Sequence, residues 1–244
     1  MILSVINQKG GVGKTTSTFN LGAILAKGKR VLIIDLDPQG SLTIACGIDV
    51  INESMYDVMS EKKSMQNILI EVSANLFLAP ANINLSIAEL ELVSKMSREN
   101  VLKKALEKIN KNFDYILIDC PPSLSLLTIN ALVASDKALV TVSTDFLAIK
   151  GLELLIDTIN KVKENLNESL CVLGVIATMY DKRTTHSKEV LSLLNNEYSV
   201  LGTIKQSVIV KDSVLANAPL IDFEPNHDTT KEYIKVAKEI TNEK

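Results

Sequence analysis

Three consecutive pieces near the amino terminus constrain this chain most: Ile2-Leu3-Ser4-Val5-Ile6, then Asn7-Gln8-Lys9-Gly10-Gly11-Val12-Gly13-Lys14-Thr15-Thr16, then residues 18–26. The first is a short apolar run of buried-strand character, and the last has helical spacing. The glycine-rich middle therefore joins a strand to a helix, which is the context a phosphate-binding loop requires. Glycines at 10, 11 and 13 let the backbone curl with its N–H groups pointing inward. The helix adds free N–H groups and its positive dipole end at the same point. Lys14 can then reach the β- and γ-phosphates of a nucleotide, and the Thr15 hydroxyl can ligate Mg²⁺. The predicted phosphate site is Lys9, Gly10, Gly11, Val12, Gly13, Lys14, Thr15 and Thr16.

A chain of 244 residues, 46% hydrophobic, suits one large α/β domain with a full core. Its formal charge of −3 supplies no global basic field, so any contact with DNA has to come from a local patch. Cys46, Cys120 and Cys171 lie far apart, which favours neither a zinc site nor a disulfide framework and fits a reducing cytoplasm. No apolar run approaches the ~18–20 residues that span a bilayer, and no signal peptide opens the sequence. The expectation is a soluble, cytoplasmic protein.

Residues 31–34 form a second apolar strand, and a helix between two such strands implies a parallel pair with a right-handed crossover. This strand runs into Asp35-Leu36-Asp37-Pro38-Gln39-Gly40, and turns at the carboxyl ends of parallel strands cluster ligand residues. Short helices are predicted at 54–59 and 65–72, a strand at 76–79, and helices at 85–92 and 101–109. The run from Phe113 to Asp119 is an apolar strand ending in a carboxylate, the Walker B arrangement that holds Mg²⁺ usually through water. Helices at 124–133, 147–162, 187–195, 208–215 and 231–240 alternate with strands at 137–142, 171–179 and 200–204. With no linker or repeat, the prediction is a single-domain P-loop NTPase fold spanning 1–244. Its sheet is mostly parallel and twisted, flanked by helices on both faces.

The loop departs from the general pattern G-x-x-x-x-G-K-S/T, because Gln8 stands at the first glycine and a second lysine, Lys9, opens a K-G-G-x-G-K-T-T run. This deviant form resembles the ParA/MinD family of ATPases. Asp35 to Gly40 resembles that family's first switch segment, and Asp119-Cys120-Pro121-Pro122-Ser123 its second. Thr178-Met179-Tyr180-Asp181-Lys182-Arg183-Thr184 is similar to a base-side segment of ParA and Soj proteins. Val210-Lys211-Asp212-Ser213, followed by residues 218–225, is similar to a second. The resemblance implies ATP and Mg²⁺ as ligands. It places Asp37, Lys9 and Lys14 in catalysis, Thr15, Asp37 and Asp119 at the metal, and Met179 and Asp212 near the adenine. Asp37 would orient or activate the attacking water. Asp35 is expected to be structural, and Cys120 a buried filler rather than a nucleophile.

The same resemblance implies a homodimer in the ATP state, with Lys9 crossing to the partner's nucleotide. It implies non-specific DNA binding, hydrolysis that is weak alone and stimulated by a ParB-type centromere-binding protein, and association with the nucleoid. With nothing before the first strand, no helix-turn-helix extension is expected, as in the chromosomal Soj or small plasmid type. From Lys182 to Lys211 there are five cations (Lys182, Arg183, Lys188, Lys205, Lys211) against two anions (Glu189, Glu197). This local excess is the expected DNA face. Two alternatives are a ParA-like ATPase that positions a cargo other than DNA and a MinD-type membrane-cycling ATPase. Mixed charge at 231–243 argues against stable membrane association.

Overall fold

Continuous apolar runs become strands, and the segments between them become helices, in the order the sequence dictates. The structure is a computed structural model describing residues 1–145 and 147–242. β1 (Ile2–Ile6) leads to α1 (Lys14–Ala26), and β2 (Val31–Asp35) to α2 (Ser41–Ala45), α3 (Met55–Met59) and α4 (Met65–Ile68). β3 (Ile70–Ser73) and β4 (Leu76–Ala79) precede α5 (Leu85–Val93) and α6 (Val101–Glu107). β5 (Tyr115–Asp119), α7 (Leu126–Ala134), β6 (Lys137–Ser143), α8 (Leu147–Asn165), β7 (Cys171–Tyr180), α9 (Thr185–Glu197) and β8 (Val200–Lys205) alternate. α10 (Ile209–Leu215), α11 (Leu220–Phe223) and α12 (Asp228–Asn242) follow.

The strands pair in the order β3-β4-β2-β5-β1-β6-β7-β8. Every pairing is parallel except that of β3 with β4. Alternate residues of the central strands feed two separate cores. Ile6, Leu32, Ile34, Ile116 and Ile118 join one, while Leu3, Val5, Val31, Ile33 and Leu117 join the other. Both faces are covered by helices, which is why these strands read as unbroken hydrophobic runs instead of alternating ones. The doubly covered, mostly parallel sheet agrees with the expectation.

One segment differs. The predicted helix at 65–72 stops at Ile68, and Ile70–Ser73 is a strand. There the period is two, with half-buried Ile70 and Val72 alternating with exposed Glu71 and Ser73. The chain then reverses through Ala74 and Asn75, where Asn75 takes a left-handed φ of 66°, so a tight hairpin wins over helix continuation. The short helices α2 and α11 add to the predicted set, since fewer than two turns leave no periodic signal.

Close approach of α1 to the sheet depends on Gly22, where a Cβ would lie 2.6 Å from Ile33 Cγ2. Gly22→Val should therefore lower stability by about 1–3 kcal/mol through overpacking. A denaturant midpoint equal to the parent's would contradict this packing.

Candidate functional site

Parallel pairing brings the carboxyl ends of β1, β2, β5, β6 and β7 to one edge of the sheet. The loop after β1 is fixed by its neighbours. The Asn7 side-chain amide donates to the Thr141 carbonyl at 2.6 Å, the Lys9 N–H donates to Asn7 Oδ1 at 2.8 Å, and the Thr178 hydroxyl donates to the Val12 carbonyl at 2.9 Å. Gly11 and Gly13 adopt φ of 71° and 83°, a region side chains other than glycine's seldom enter. Gly13 is the residue from which α1 springs, so the amino end of that helix opens into the curled loop.

Lys14 is buried, and its ammonium folds back to donate to the Lys9 carbonyl at 3.0 Å. Burial pulls its pKa down, against the opposing pull of Asp119, Cys120 and Asp37. Thr15 Oγ1 donates to Asp119 Oδ2 at 2.6 Å. The other Asp119 oxygen, Oδ1, is buried without a hydrogen-bond partner among the described residues. Burial pushes the Asp119 carboxyl well above the usual carboxylate range, and nearby Asp35 adds to the effect. An orphaned, buried carboxylate oxygen beside a threonine hydroxyl fits a hard cation. Among the described residues no three His, Cys, Asp or Glu groups converge on a metal position, so a cation here would be completed by phosphate oxygens and water.

Asp35 stands in register with Asp119 on the adjacent strand. Its Oδ2 accepts from the Thr43 N–H and hydroxyl, both at 2.8 Å, and its Oδ1 from the Asp37 N–H at 3.2 Å. Burial lifts its pKa to about 6 in spite of these donors. Asp35 thus anchors α2 and the turn that carries Asp37. Asp37 is half-buried, faces the cavity, and accepts the Gln39 N–H at Oδ1 (3.0 Å). Cys120 is fully buried with its thiol pushed up by that burial, as an inert filler would be.

Of these groups Lys14, Thr15 and Asp37 line a cavity of about 480 Å³, while Asp119 reaches it through its hydrogen bond with Thr15. Gly10, Gly11, Gly13, Lys14, Thr15 and Thr16 line it together with Asp37 and Pro122. Phe19, Ala45, Ile204, Val210, Val214 and Tyr233 give it apolar lining together with Met179, whose φ of 53° is unusual for a side chain of that size. Asp212 is not among the lining residues. It lies exposed on α10, while its neighbours Val210, Lys211 and Val214 face the cavity. Lys9 is also outside the lining, held by Asp145 at 2.7 Å. Burial opposes ionisation of Asp145, yet hydrogen bonds from Lys9 and Ser143 hold its pKa below the usual range.

The predicted basic patch is only partly assembled. Arg183 forms a fork with Asp181, its Nη2 lying 2.8 Å from Oδ2, and Lys205 contacts Glu232 at 3.2 Å and Asp228 at 3.6 Å. Lys205 and Lys211 both line the nucleotide-sized cavity. Lys182 and Lys188 are exposed. A charge count along the sequence missed Asp181, just before its window, and the two acids that α12 brings across.

A family profile described as an AAA domain matches residues 1–172. The sporulation initiation inhibitor protein Soj of Bacillus subtilis (strain 168) is 41% identical over 248 residues, covering 98% of this chain and 97% of that protein. The chain belongs to the ParA/Soj family of partitioning ATPases. Another Soj-type relative, the chromosome-partitioning ATPase Soj of Treponema pallidum (strain Nichols), is 38% identical across 98% of this chain and 96% of its own length. Among solved structures, cobyrinic acid a,c-diamide synthase from Mycobacterium smegmatis with bound ATP analogue and magnesium is similar at a TM-score of 0.88. It is 35% identical, with 99% of this chain and 94% of that one covered. No described helix is long and apolar enough to cross a membrane.

Proposed function

We propose that this chain is an ATP-dependent partitioning ATPase, one domain throughout, that binds ATP with Mg²⁺, pairs with a second copy in that state and holds DNA without sequence preference. The observation that carries the reading is the shared cavity, where the glycine loop and Lys14 face Asp37 while the orphaned Asp119 oxygen lies beside Thr15. Loop amides and Lys14 would hold the β- and γ-phosphates. Thr15 and Asp119, with Asp37 nearby, would support Mg²⁺, and Asp37 would position the water for in-line attack. The apolar lining with Met179 would take the base. Lys9 would serve the partner copy's phosphates once released from Asp145. A solved relative carries an ATP analogue and magnesium, which supports this ligand pair.

Hydrolysis would be weak alone and raised by a ParB-type partner, and the protein would act on the nucleoid in the cytoplasm without stable membrane association. For DNA the reading rests on the exposed lysines, Lys182 and Lys188, doubled by pairing of two copies. Lys205 and Lys211 make a poor test because they line the nucleotide cavity. Mobility shifts of a non-specific duplex should appear with ATP and Mg²⁺ but not with ADP. They should weaken in Lys182→Ala/Lys188→Ala, and the log–log salt dependence should become shallower by roughly 0.9 for each phosphate that is no longer neutralised. If the parent never shifts DNA with ATP, the DNA reading fails. The ion-paired state of Arg183 and Lys205 then favours positioning of a cargo other than DNA.

A further inference from the structure

One side chain of β7 reaches across the sheet edge to the phosphate loop. Thr178 is 3% exposed, and its hydroxyl donates to the Val12 carbonyl at 2.9 Å, bridging 166 positions of sequence. Its methyl lies against the same loop, because a Cβ built at Gly13 would stand 3.6 Å from Thr178 Cγ2. Thr178 is itself held firmly. Its carbonyl accepts the Thr144 N–H at 3.1 Å, and the Thr144 hydroxyl is within hydrogen-bond distance of the Met179 carbonyl (3.3 Å) and of Ser187 Oγ (3.2 Å). Thr144 and Ser187 are buried, so the end of β7 is fixed both from the end of β6 and from α9.

The direction of the Thr178 bond decides what the loop offers a ligand. Val12 and Gly13 share a trans peptide plane, in which C=O and N–H point opposite ways. Holding the Val12 carbonyl on Thr178 therefore turns the Gly13 N–H away from β7, across the curl of the loop. Val12 is 1% exposed, whereas Gly13 lines the cavity. Gly13 has no side chain to resist rotation of this plane, so its orientation needs an outside anchor. Were the plane to flip, a carbonyl oxygen would face the phosphates in place of a donor, and the nest of N–H groups would be broken. Neighbouring strand residues ordinarily point to opposite faces. The left-handed φ at Met179 ends that alternation, and Thr178 and Met179 both line the cavity.

We propose that Thr178 is a positioning residue for the nucleotide's phosphates: by holding the Val12 carbonyl, its hydroxyl aims the Gly13 N–H at the β-phosphate. The inference rests on the reading of the cavity as an ATP site. It gives a residue of the base-side segment a role at the opposite part of the nucleotide.

The test compares Thr178→Val, which keeps the shape and loses the donor, with Thr178→Ser, which keeps the donor. Calorimetry with Mg²⁺ and either ADP or a non-hydrolysable ATP analogue should show both affinities falling at least about tenfold in Thr178→Val, the weight of one hydrogen bond to a charged group. Thr178→Ser should stay within about threefold of the parent, less than the loss of such a bond would cause. Thermal melting runs alongside, since a threonine that only supported packing would lower the melting temperature when replaced and leave both affinities unchanged. A second readout needs no variant. In amide NMR of the parent, the Gly13 proton should move downfield when Mg²⁺ and ADP are added, as a proton donated to an anionic oxygen does. That shift should shrink in Thr178→Val and survive in Thr178→Ser. If the parent binds ADP without a Gly13 shift, or folded Thr178→Val binds as the parent does, the role of Thr178 is wrong while the ATP site stands. Equal losses in Thr178→Ser and Thr178→Val would likewise overturn it, because the hydroxyl would not be what matters. If the parent binds neither nucleotide, the ATP reading and this inference fall together.

Discussion

Lys14→Ala is expected to lose ATP binding by roughly 100-fold or more. The residue is buried beneath the curled loop, and among the described residues its ammonium donates to the Lys9 carbonyl at 3.0 Å. Burial already depresses its pKa, so the site holds a poorly solvated cation whose natural compensation is an anion. Hydrogen bonds to charged groups contribute about 1.5–3 kcal/mol each. Two of them, one to each of the β- and γ-phosphates, account for the expected loss. Lys14→Arg should not rescue binding, because a planar fork does not fit a point-charge position enclosed by backbone. Titration calorimetry decides the matter, and an unchanged affinity in Lys14→Ala would remove the assignment of the loop.

Asp37→Ala should separate binding from chemistry. Its side chain accepts one local N–H, from Gln39, and otherwise faces the cavity, so the turn survives its removal. ATP and Mg²⁺ should still bind, while turnover falls by about 10²–10⁴, the usual contribution of a group that positions or activates a nucleophile. The unhydrolysed complex should accumulate as a dimer in light scattering. Parental turnover, or a monomer with ATP present, would sink this role for Asp37. Lys9→Ala should give the opposite phenotype, binding ATP without pairing. Its contact with Asp145 is half exposed on both sides, and such pairs contribute less than about 1 kcal/mol, so release of Lys9 for another partner is easy.

The strand–loop–helix arrangement was legible because its parts lie contiguous in sequence: a strand, a glycine loop and a helix start between Ile2 and Ala26, and strands that stop on Asp35 and Asp119. Central strands announced themselves as unbroken apolar runs because both faces are covered. What stayed hidden depends on the third dimension. Asp145, just past the end of β6, acts on a loop more than 130 positions away, and so does Thr178, which the sequence marked only as part of a base-side segment. For Asp145 the sequence signal was a polar cluster where a buried strand ends. β3 reads as helix because four residues with two half-buried side chains fit either period until the hairpin partner is known. The basic patch was overstated for the same reason, since the acids facing Lys205 belong to a helix more than twenty residues away.

The two ends of the sheet bear on how copies of this chain can associate at all. β3 spans only four residues, runs against its neighbour, and its ladder shifts register between Glu71 and Ser73. At the other end, the β8 amide of Lys205 is already taken by Glu232 of α12, and Gly202 lets Val236 of that helix lie against the strand. A short, bulged edge and a helix-covered one give a neighbouring chain little unpaired backbone to add to. Open-ended growth by strand addition is thereby discouraged. Any contact between copies is left to side chains, which release more readily than a shared ladder of backbone hydrogen bonds.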